Sequence, residues 1–174
     1  MIADIETDRL VLRHMSPSAL TASQLDDLVS AETELGLGMP KDWLTEKPLM
    51  AMRLQDMADD PGYAPWSLRA IGLRSEHWMV GHIGFHGRPK DGTAELGYAI
   101  FDSARRRGFA EEAVRGMLRW AAENGASRFV LSIAPDNHAS QALAAKLGFT
   151  KIGTRDDPVD GIEDVLERTE LPLP

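Results

Sequence analysis

The most regular hydrophobic pattern of the chain lies in its second half, directly after the run "ARRRGFA". Small and apolar residues recur there at i, i+3, i+4, i+7, i+8 and i+11, the spacing that places them on one face of an α-helix. Two glutamates open the segment, where negative charge suits the positive helix end, and "ENG" ends it. The pattern predicts an amphipathic helix whose buried face consists of Ala110, Ala113, Val114, Met117, Leu118 and Ala121.

Shorter apolar segments predict a sheet around this helix. Several of them precede the helix, and a strand-helix-strand order follows it, so we expect a mixed α+β fold with at least one parallel crossover. Less regular helical patterns occupy residues 20–30 and 49–59, and a short helical segment occupies 137–149. The predicted strands are residues 9–15, 66–73, 78–87, 93–101, 128–135, 151–155 and 163–171.

Composition narrows the class of protein. The chain has 174 residues, of which 43% are hydrophobic and 26% charged, so we expect one globular domain over residues 1–174. A net charge of -8 argues against non-specific binding to nucleic acid or an anionic membrane. The chain has no cysteine, which excludes disulfides, thiolate metal sites and a cysteine nucleophile. With no apolar signal core near the first residue, these features predict a soluble, cytoplasmic protein.

The segment that precedes the amphipathic helix combines three cations with a glycine: Arg105, Arg106, Arg107 and Gly108. A glycine between a strand and a helix lets backbone amides converge on an anion, and the helix N-terminus adds unpaired N–H groups. Arginine can add bidentate contacts with phosphate. Neither common nucleotide-binding glycine motif occurs in the chain. The segment is therefore interpreted either as a solvated charge run or as a phosphate site of another type.

The short helix begins with "PDNHAS", in which Asn137 occupies the expected N-cap position and Ser140 the third helical position. Asparagine is a preferred N-cap because its side-chain oxygen accepts a hydrogen bond from the first helical turn. This structural role explains the pattern without any ligand.

The segment "GHIGFH" contains His82 and His86 at the spacing of a helical metal pair. In the predicted strand, however, these side chains lie about 13 Å apart on one face, too far to share an ion. We therefore predict no metal site. With Gly84 between them, the face has room for a ligand, and His86 at the strand end is the better functional candidate, with a hydrogen-bonded structural histidine as the alternative.

The next strand places Glu95, Gly97 and Ala99 on one face by alternation, with Leu96 and Tyr98 on the other. Glutamate is unfavourable in strands, and burial would raise the pKa of its carboxyl group. Glu95 is therefore either a base that accepts a proton from an ammonium group or a hydrogen-bonded structural residue.

Taken in chain order, these segments resemble the GNAT N-acetyltransferase superfamily, and within it the branch of ribosomal-protein N-alpha-acetyltransferases. The resemblance is carried by "TDRLVLR", "VGHIGFH", "AELGYAIFDSARRRGFAEEAV", "PDNHASQALAAKLGFTKIG" and "DGIEDVLER". It covers most of the chain and is weakest over residues 19–64. The family signature Q/R-x-x-G-x-G/A is met by Arg105, Gly108 and Ala110. The resemblance implies a three-layer fold with a mostly antiparallel, splayed sheet and helices on both faces.

The resemblance also implies a site for acetyl-coenzyme A as acetyl donor. Backbone amides from Arg106 to Ala110 would hold its pyrophosphate, while the strand before the loop would carry a bulge and splay from the next strand. The pantetheine arm would lie in that gap and bond the backbone near Ile100. The predicted cofactor-binding residues are Ile100, Arg105, Arg106, Arg107, Gly108, Phe109, Ala110 and Asn137.

Many family members carry a tyrosine in the last helix as general acid, whereas "QALAAKLGF" has none. Either Ser140, a water or no dedicated group therefore protonates the leaving thiolate. The resemblance implies Glu95 as a candidate base, since it matches a glutamate common in this branch, and His86 is the rival candidate. The implied reaction is direct attack by a primary amine on the thioester in a ternary complex, without an acyl-enzyme. The alternative is a non-catalytic acyl-coenzyme A sensor or interaction module.

The acceptor is not readable from the sequence. A small-molecule amine and a protein N-terminus both fit, and the segment 36–65, expected to face the acceptor, is the least patterned of the chain. We predict no nucleic-acid partner and no membrane partner. A homodimer is compatible with the resemblance.

Overall fold

Eight strands form one open sheet in the part of the chain that the structure, a computed structural model, describes, residues 2–159 and 161–169. The strands are β1 (Ile5–Glu6), β2 (Leu10–His14), β3 (Arg69–Leu73), β4 (Trp78–Phe85), β5 (Thr93–Ile100), β6 (Arg128–Ile133), β7 (Thr150–Asp157) and β8 (Gly161–Arg168). Their order across the sheet is β1-β2-β3-β4-β5-β6-β8-β7. Neighbouring strands run antiparallel except for β5 and β6, which are parallel.

Five α-helices and three short 3-10 helices accompany the sheet in the described part of the chain. The amphipathic helix predicted after the arginines is present as α4, and all six residues of its predicted face except Ala110 are buried. The α-helices are α1 (Pro17–Gln24), α2 (Leu28–Leu35), α3 (Lys47–Asp59), α4 (Phe109–Glu123) and α5 (His138–Lys146). The 3-10 helices are Lys41–Glu46, Pro61–Trp66 and Asp102–Ala104.

Two sequence-based boundaries are wrong. The helix predicted over 20–30 is split between α1 and α2, because Asp26 adopts a left-handed backbone (φ 61°) and Asp27 caps the second helix through Ser30. The strand predicted over 66–73 begins only at Arg69, because Pro61–Trp66 forms a 3-10 helix. The end of the last predicted strand, residues 170 and 171, lies outside the described residues.

Helices cover both faces of the sheet. On one face, the ring of Trp120 in α4 lies 6.5 Å from that of Phe85 in β4. The α5 helix shares this side, since Lys146 forms an ion pair of 2.6 Å with Glu111 of α4. On the opposite face, Trp43 in Lys41–Glu46 lies 5.7 Å from the ring of His82. The predicted fold class, a three-layer α+β arrangement around a mostly antiparallel sheet, is confirmed.

The sheet opens between β5 and β6. Their parallel pairing is limited to three positions, Thr93 with Arg128, Ala94 with Phe129 and Glu95 with Val130. β5 continues to Ile100 beside β4 alone, so the predicted splay is present. The predicted bulge is not, since the β4–β5 pairs keep one register from Phe85–Leu96 to Gly81–Ile100. Beyond Glu95, the edge of β5 that faces the gap has no neighbouring strand among the described residues.

Candidate functional site

A cleft of about 580 Å³ lies where β5 leaves β6, bounded by the end of β5, the loop that follows it, the start of α4 and the start of α5. This volume is typical of a site for a small molecule or cofactor. Seven of the eight residues predicted to bind the cofactor line the cleft, and Ser140 lines it too. The seven are Ile100, Arg105, Arg106, Gly108, Phe109, Ala110 and Asn137.

The loop before α4 has an unusual backbone. Gly108 adopts φ 79°, and the non-glycine residue Arg106 adopts φ 61°. A non-glycine residue with a left-handed backbone destabilises the fold, and such residues are concentrated at functional sites. Alternating backbone of this kind turns successive N–H groups toward one point and favours an anion there.

The N-terminus of α4 has no side-chain cap, because its N-cap residue is Gly108. In contrast, α1, α2 and α5 are capped by the side chains of Ser16, Asp27 and Asn137. The first N–H groups of a helix lack intrahelical acceptors, so those of α4 are left as donors at the cleft. The residues present therefore fit a phosphate group at this helix end.

The three arginines do not act alike. Arg105 donates from Nε to the carbonyl oxygen of Ile100 at 3.0 Å and forms an ion pair of 2.9 Å with Asp102. Arg106 lines the cleft, whereas Arg107 lines a separate cavity of about 540 Å³ on the other side of the loop. The guanidinium of Arg107 lies 4.7 Å from the ring centroid of Phe109. Arg107 is therefore positioned to stabilise the loop through Phe109, away from the cleft.

Asn137 has the N-cap role that the sequence predicts. Its Oδ1 accepts a hydrogen bond of 3.2 Å from the backbone N–H of Ser140, which fixes the first turn of α5 beside the cleft. The cap therefore holds the Ser140 side chain at a defined place in the cleft lining.

Glu95 lies in an ion network on the face of β5 that points away from α4. Its carboxylate accepts hydrogen bonds from Ser132 at 2.7 Å and from both terminal nitrogens of Arg155, at 2.9 and 3.2 Å. Arg155 also donates to Glu163 at 2.9 Å. Burial raises the pKa of Glu95, but hydrogen bonds from His86, Arg155 and Ser132 outweigh burial and lower the pKa to about 2. The sequence-based expectation of a raised pKa is wrong, since it ignored these partners.

His86 lies directly against this carboxylate, with Nδ1 3.5 Å from Glu95 Oε1. Its Nε2 occupies the space over Gly97, where an added Cβ would lie only 2.7 Å away. The His86 side chain is 42% exposed. Glu95 is the last residue of β5 that pairs with β6, and Gly97 lies two residues beyond it. Because His86 lies over Gly97, its side chain is at the opening of the gap between the two strands.

His82 has a different environment. It pairs across the strands with Ala99 and is buried, with Nε2 3.8 Å from a carboxylate oxygen of Glu46. The interaction with His82 lowers the pKa of Glu46. Within residues 2–159 and 161–169, no group of three metal-ligating side chains comes together. His82 is thus a packed residue on the face of the sheet opposite α4, next to an acidic group.

Tyr98 is a cleft residue that sequence analysis did not assign. Alternation places it on the face opposite Glu95, and it lines the cleft together with Ser140. Its hydroxyl oxygen is buried, and no atom of the described chain meets it with hydrogen-bond geometry. The signal was in the sequence, since "ELGYAI" places Glu95 and Tyr98 on opposite faces of a strand that adjoins the site.

Comparison with known proteins identifies the class of this protein, the acyltransferases, and then its family within that class. The family model described as "Acetyltransferase (GNAT) domain" matches residues 9–150. The uncharacterized N-acetyltransferases YjdG and YoaA of Bacillus subtilis (strain 168) are each 30% identical to this chain, over 152 and 159 residues. These alignments cover 83% and 88% of this chain, and 88% and 86% of the relatives.

Solved structures share the fold. An acetyltransferase from Salmonella typhimurium that modifies the N-terminal serine of ribosomal protein L7/L12 superposes with a TM-score of 0.67, at 20% identity. The match covers 97% of this chain and 99% of that one. RimL, a ribosomal L7/L12 alpha-N-protein acetyltransferase solved with coenzyme A, gives a TM-score of 0.67 at 22% identity, covering 96% and 98% of the two chains.

The chain therefore belongs to the GNAT acetyltransferase family, as its sequence predicted. It is an N-acetyltransferase that moves an acetyl group to an amine, and acetyl-coenzyme A is the acetyl donor in this family. None of the helices in the described residues is long and apolar enough to cross a membrane.

Proposed function

We propose that this enzyme transfers the acetyl group of acetyl-coenzyme A directly to a primary amine, within a ternary complex. The observation that supports this most strongly is the cleft at the β5–β6 gap, which places an uncapped helix N-terminus next to the edge of β5 that has no neighbouring strand in the described chain. The first feature suits the pyrophosphate and the second suits the amide-containing arm of the coenzyme. No residue of the chain is a cysteine, so an acyl-cysteine step is excluded.

The cofactor side of the site is proposed to use backbone more than arginine side chains. Amides from Arg106 to Ala110 would bind the pyrophosphate, with Arg106 adding positive charge at the cleft. Arg105 and Arg107 would hold the loop, since each is engaged with a neighbouring group, Ile100 or Phe109. Asn137 would position α5 against the arm of the coenzyme through its cap.

The acceptor is proposed to enter from the opposite face, where His86 and Glu95 lie. A protonated amine cannot attack a carbonyl carbon, so a base must remove its proton first. Glu95 is a weak base because its pKa is lowered to about 2, whereas the His86 side chain is partly exposed and carries its Nε2 over Gly97. We assign proton acceptance to His86 and its orientation to Glu95, which contacts Nδ1. Glu95 is thus a positioning residue.

The chemistry of this face favours a cationic acceptor. The carboxylates of Glu46 and Glu95 both border the strip of β4 and β5 that carries the histidines, and the chain as a whole is acidic. A protein N-terminus and a small polyamine both satisfy this. Steady-state release of coenzyme A thiol, measured with spermidine, kanamycin, free amino acids and short peptides with unblocked N-termini, distinguishes them. Absence of turnover with every acceptor, while acetyl-coenzyme A binds, would instead support an acyl-coenzyme A sensor.

A homodimer stays a prediction. The β7–β8 hairpin exposes the large apolar side chains of Ile152, Val159 and Ile162, which offers a surface for a second copy.

We expect acetyl-coenzyme A to bind with a dissociation constant in the micromolar range and to raise the melting temperature by linkage. At a ligand concentration of about 100 times the dissociation constant, the free energy of unfolding should rise by about 2.7 kcal/mol. Isothermal calorimetry and a thermal melt test this. Neither heat nor a thermal shift at high protein concentration would contradict the cofactor site.

Replacement of Ser140 by alanine should lower turnover only modestly, by less than about a thousandfold, because water can also protonate a thiolate. The fold should be preserved, since Asn137 bonds the backbone N–H of Ser140 and not its hydroxyl. Turnover and coenzyme affinity are measured on the same preparations. A larger loss at unchanged affinity would make Ser140 an essential acid.

A further inference from the structure

The described residues place the buried hydroxyl of Tyr98 and the hydroxyl of Ser140 in the lining of one cleft. Tyr98 comes from β5, and Ser140 comes from the first turn of α5, which Asn137 fixes. Tyr98 lies on the side of the sheet opposite Glu95, because residues three apart in a strand face opposite ways, and Ser140 borders the same cleft as Tyr98. The gap where the thioester is proposed to lie is thus bordered by a base on one face and two hydroxyls on the other.

The hydroxyl of Tyr98 is difficult to explain as a packing group. Burial without a hydrogen bond costs free energy, and a phenylalanine would fill the same space without that cost. The chain's other tyrosine shows the usual solution, since the hydroxyl of Tyr63 donates to the carbonyl of Phe85 at 2.6 Å. Tyr98 has no such acceptor among residues 2–159 and 161–169.

The polar neighbour of this hydroxyl is Ser140. Burial raises the pKa of Tyr98, and the Ser140 hydroxyl lowers it by a smaller amount. The two side chains line the same cleft, and Ser140 acts on the Tyr98 hydroxyl as a hydrogen-bonding group, although the two oxygens do not satisfy strict hydrogen-bond geometry here. The phenol is consequently protonated at neutral pH and retains a proton that it can donate. Hydrogen bonds between catalytic groups are often long in the absence of substrate and shorten in the complex.

We propose that Tyr98 supplies, through Ser140, the proton that the coenzyme A sulfur takes up when the thioester bond breaks. This rests on the proposed function. As the carbon–sulfur bond breaks, its electron pair passes to sulfur, which takes the proton of the Ser140 hydroxyl while Ser140 takes that of Tyr98. The phenolate is then reprotonated by solvent, to which His86 releases the proton that it has taken from the amine. A strand tyrosine thus replaces the tyrosine that the helix "QALAAKLGF" lacks.

The test is Tyr98→Phe, which removes only the hydroxyl, with Tyr63→Phe as the matched control. We expect Tyr98→Phe to lower kcat by about tenfold to a hundredfold, within the range of general acid catalysis, with the melting temperature unchanged or raised. Tyr63→Phe should lower the melting temperature and leave kcat unchanged, because its loss leaves the Phe85 carbonyl unpaired. These kcat measurements use the amine acceptor that the wild-type enzyme acetylates fastest in the panel described above.

A double variant separates a relay from independent effects. If Tyr98 acts through Ser140, Tyr98→Phe combined with Ser140→Ala should be no slower than the slower single variant, and the basic limb of the pH–rate profile should vanish in all three. Wild-type kcat in Tyr98→Phe, or losses that multiply in the double variant, would overturn the relay.

A second measurement needs no acceptor. Coenzyme A itself is bound to the enzyme, and ionisation of its thiol is followed by thiolate absorbance as the pH rises. Two hydroxyl donors should favour the bound thiolate, so either single variant should shift the titration to higher pH by at least about half a unit, and the double variant no further. If the thiol titration is unchanged in Tyr98→Phe, the proposal is overturned, even if the enzyme acetylates none of the acceptors tested. If no acceptor of the panel is acetylated, that result alone refutes only the proposed acceptors.

Discussion

Gly108→Val should abolish binding of acetyl-coenzyme A while leaving the protein folded. Gly108 adopts φ 79°, a conformation that a β-branched residue adopts only at a cost of about 1–3 kcal/mol. The nearest atom that a new Cβ would contact is Arg9 Nη2 at 3.4 Å, so packing itself does not forbid a side chain. The valine instead redirects the amides at the start of α4 and occupies the space that a phosphate needs. Calorimetry should show a loss of affinity of more than about a hundredfold.

The matched control is Gly125→Val. Gly125 also has a positive φ, 98°, but it lies after the other end of α4, with no atom within 4 Å of an added Cβ. Its replacement should cause a similar loss of stability and no loss of coenzyme affinity. Equal affinity losses in both variants would attribute the effect to general destabilisation, and a folded Gly108→Val enzyme with normal affinity would place the phosphates elsewhere.

The sequence predicted the elements whose own pattern determines them. The α4 helix is specified by its apolar stripe and by the glycine before it, and the Asn137 cap is a local interaction between neighbouring residues. The signature of Arg105, Gly108 and Ala110 located the cleft, because a glycine with a left-handed backbone and a helix without a side-chain cap are also local properties. The split between α1 and α2 was missed, since a left-handed aspartate such as Asp26 carries a weaker signal than glycine.

The chemistry of Glu95 could not be predicted, because it depends on residues far away in the chain. Ser132 lies 37 positions away and Arg155 lies 60 positions away, and both meet the carboxylate only when β6 and β7 take their places in the sheet. Burial alone predicts a raised pKa, whereas three donors lower it to about 2. The unequal roles of Arg105 and Arg107 have a similar origin, in contacts of each side chain that the run of arginines does not reveal.

The ion network also makes Glu95 a determinant of stability. Its pKa is lowered from 4.5 to about 2, so its contribution is fully present above about pH 4.5 and is lost as the pH falls towards 2. At neutral pH that contribution is at most about 3 kcal/mol. The free energy of unfolding of Glu95→Gln should therefore approach that of the wild type as the medium becomes acidic. This stability effect is separable from catalysis because it does not require substrate.

Removal of the base should give the second large effect. His86→Ala should lower kcat by about a hundredfold or more with unchanged affinity for acetyl-coenzyme A, because the acceptor amine would lose the group that takes its proton. His77→Asn is the control, since His77 is exposed in the turn between β3 and β4 and its positive φ of 49° suits asparagine. It should retain wild-type turnover.

Glu95→Gln distinguishes the two candidates for the base. If Glu95 only orients His86 through the 3.5 Å contact, its replacement should lower kcat by about tenfold and retain the acidic limb of the pH–rate profile. The acidic limb should disappear in His86→Ala. A Glu95→Gln enzyme that loses both its turnover and its acidic limb, while His86→Ala keeps them, would show that the carboxylate itself accepts the proton.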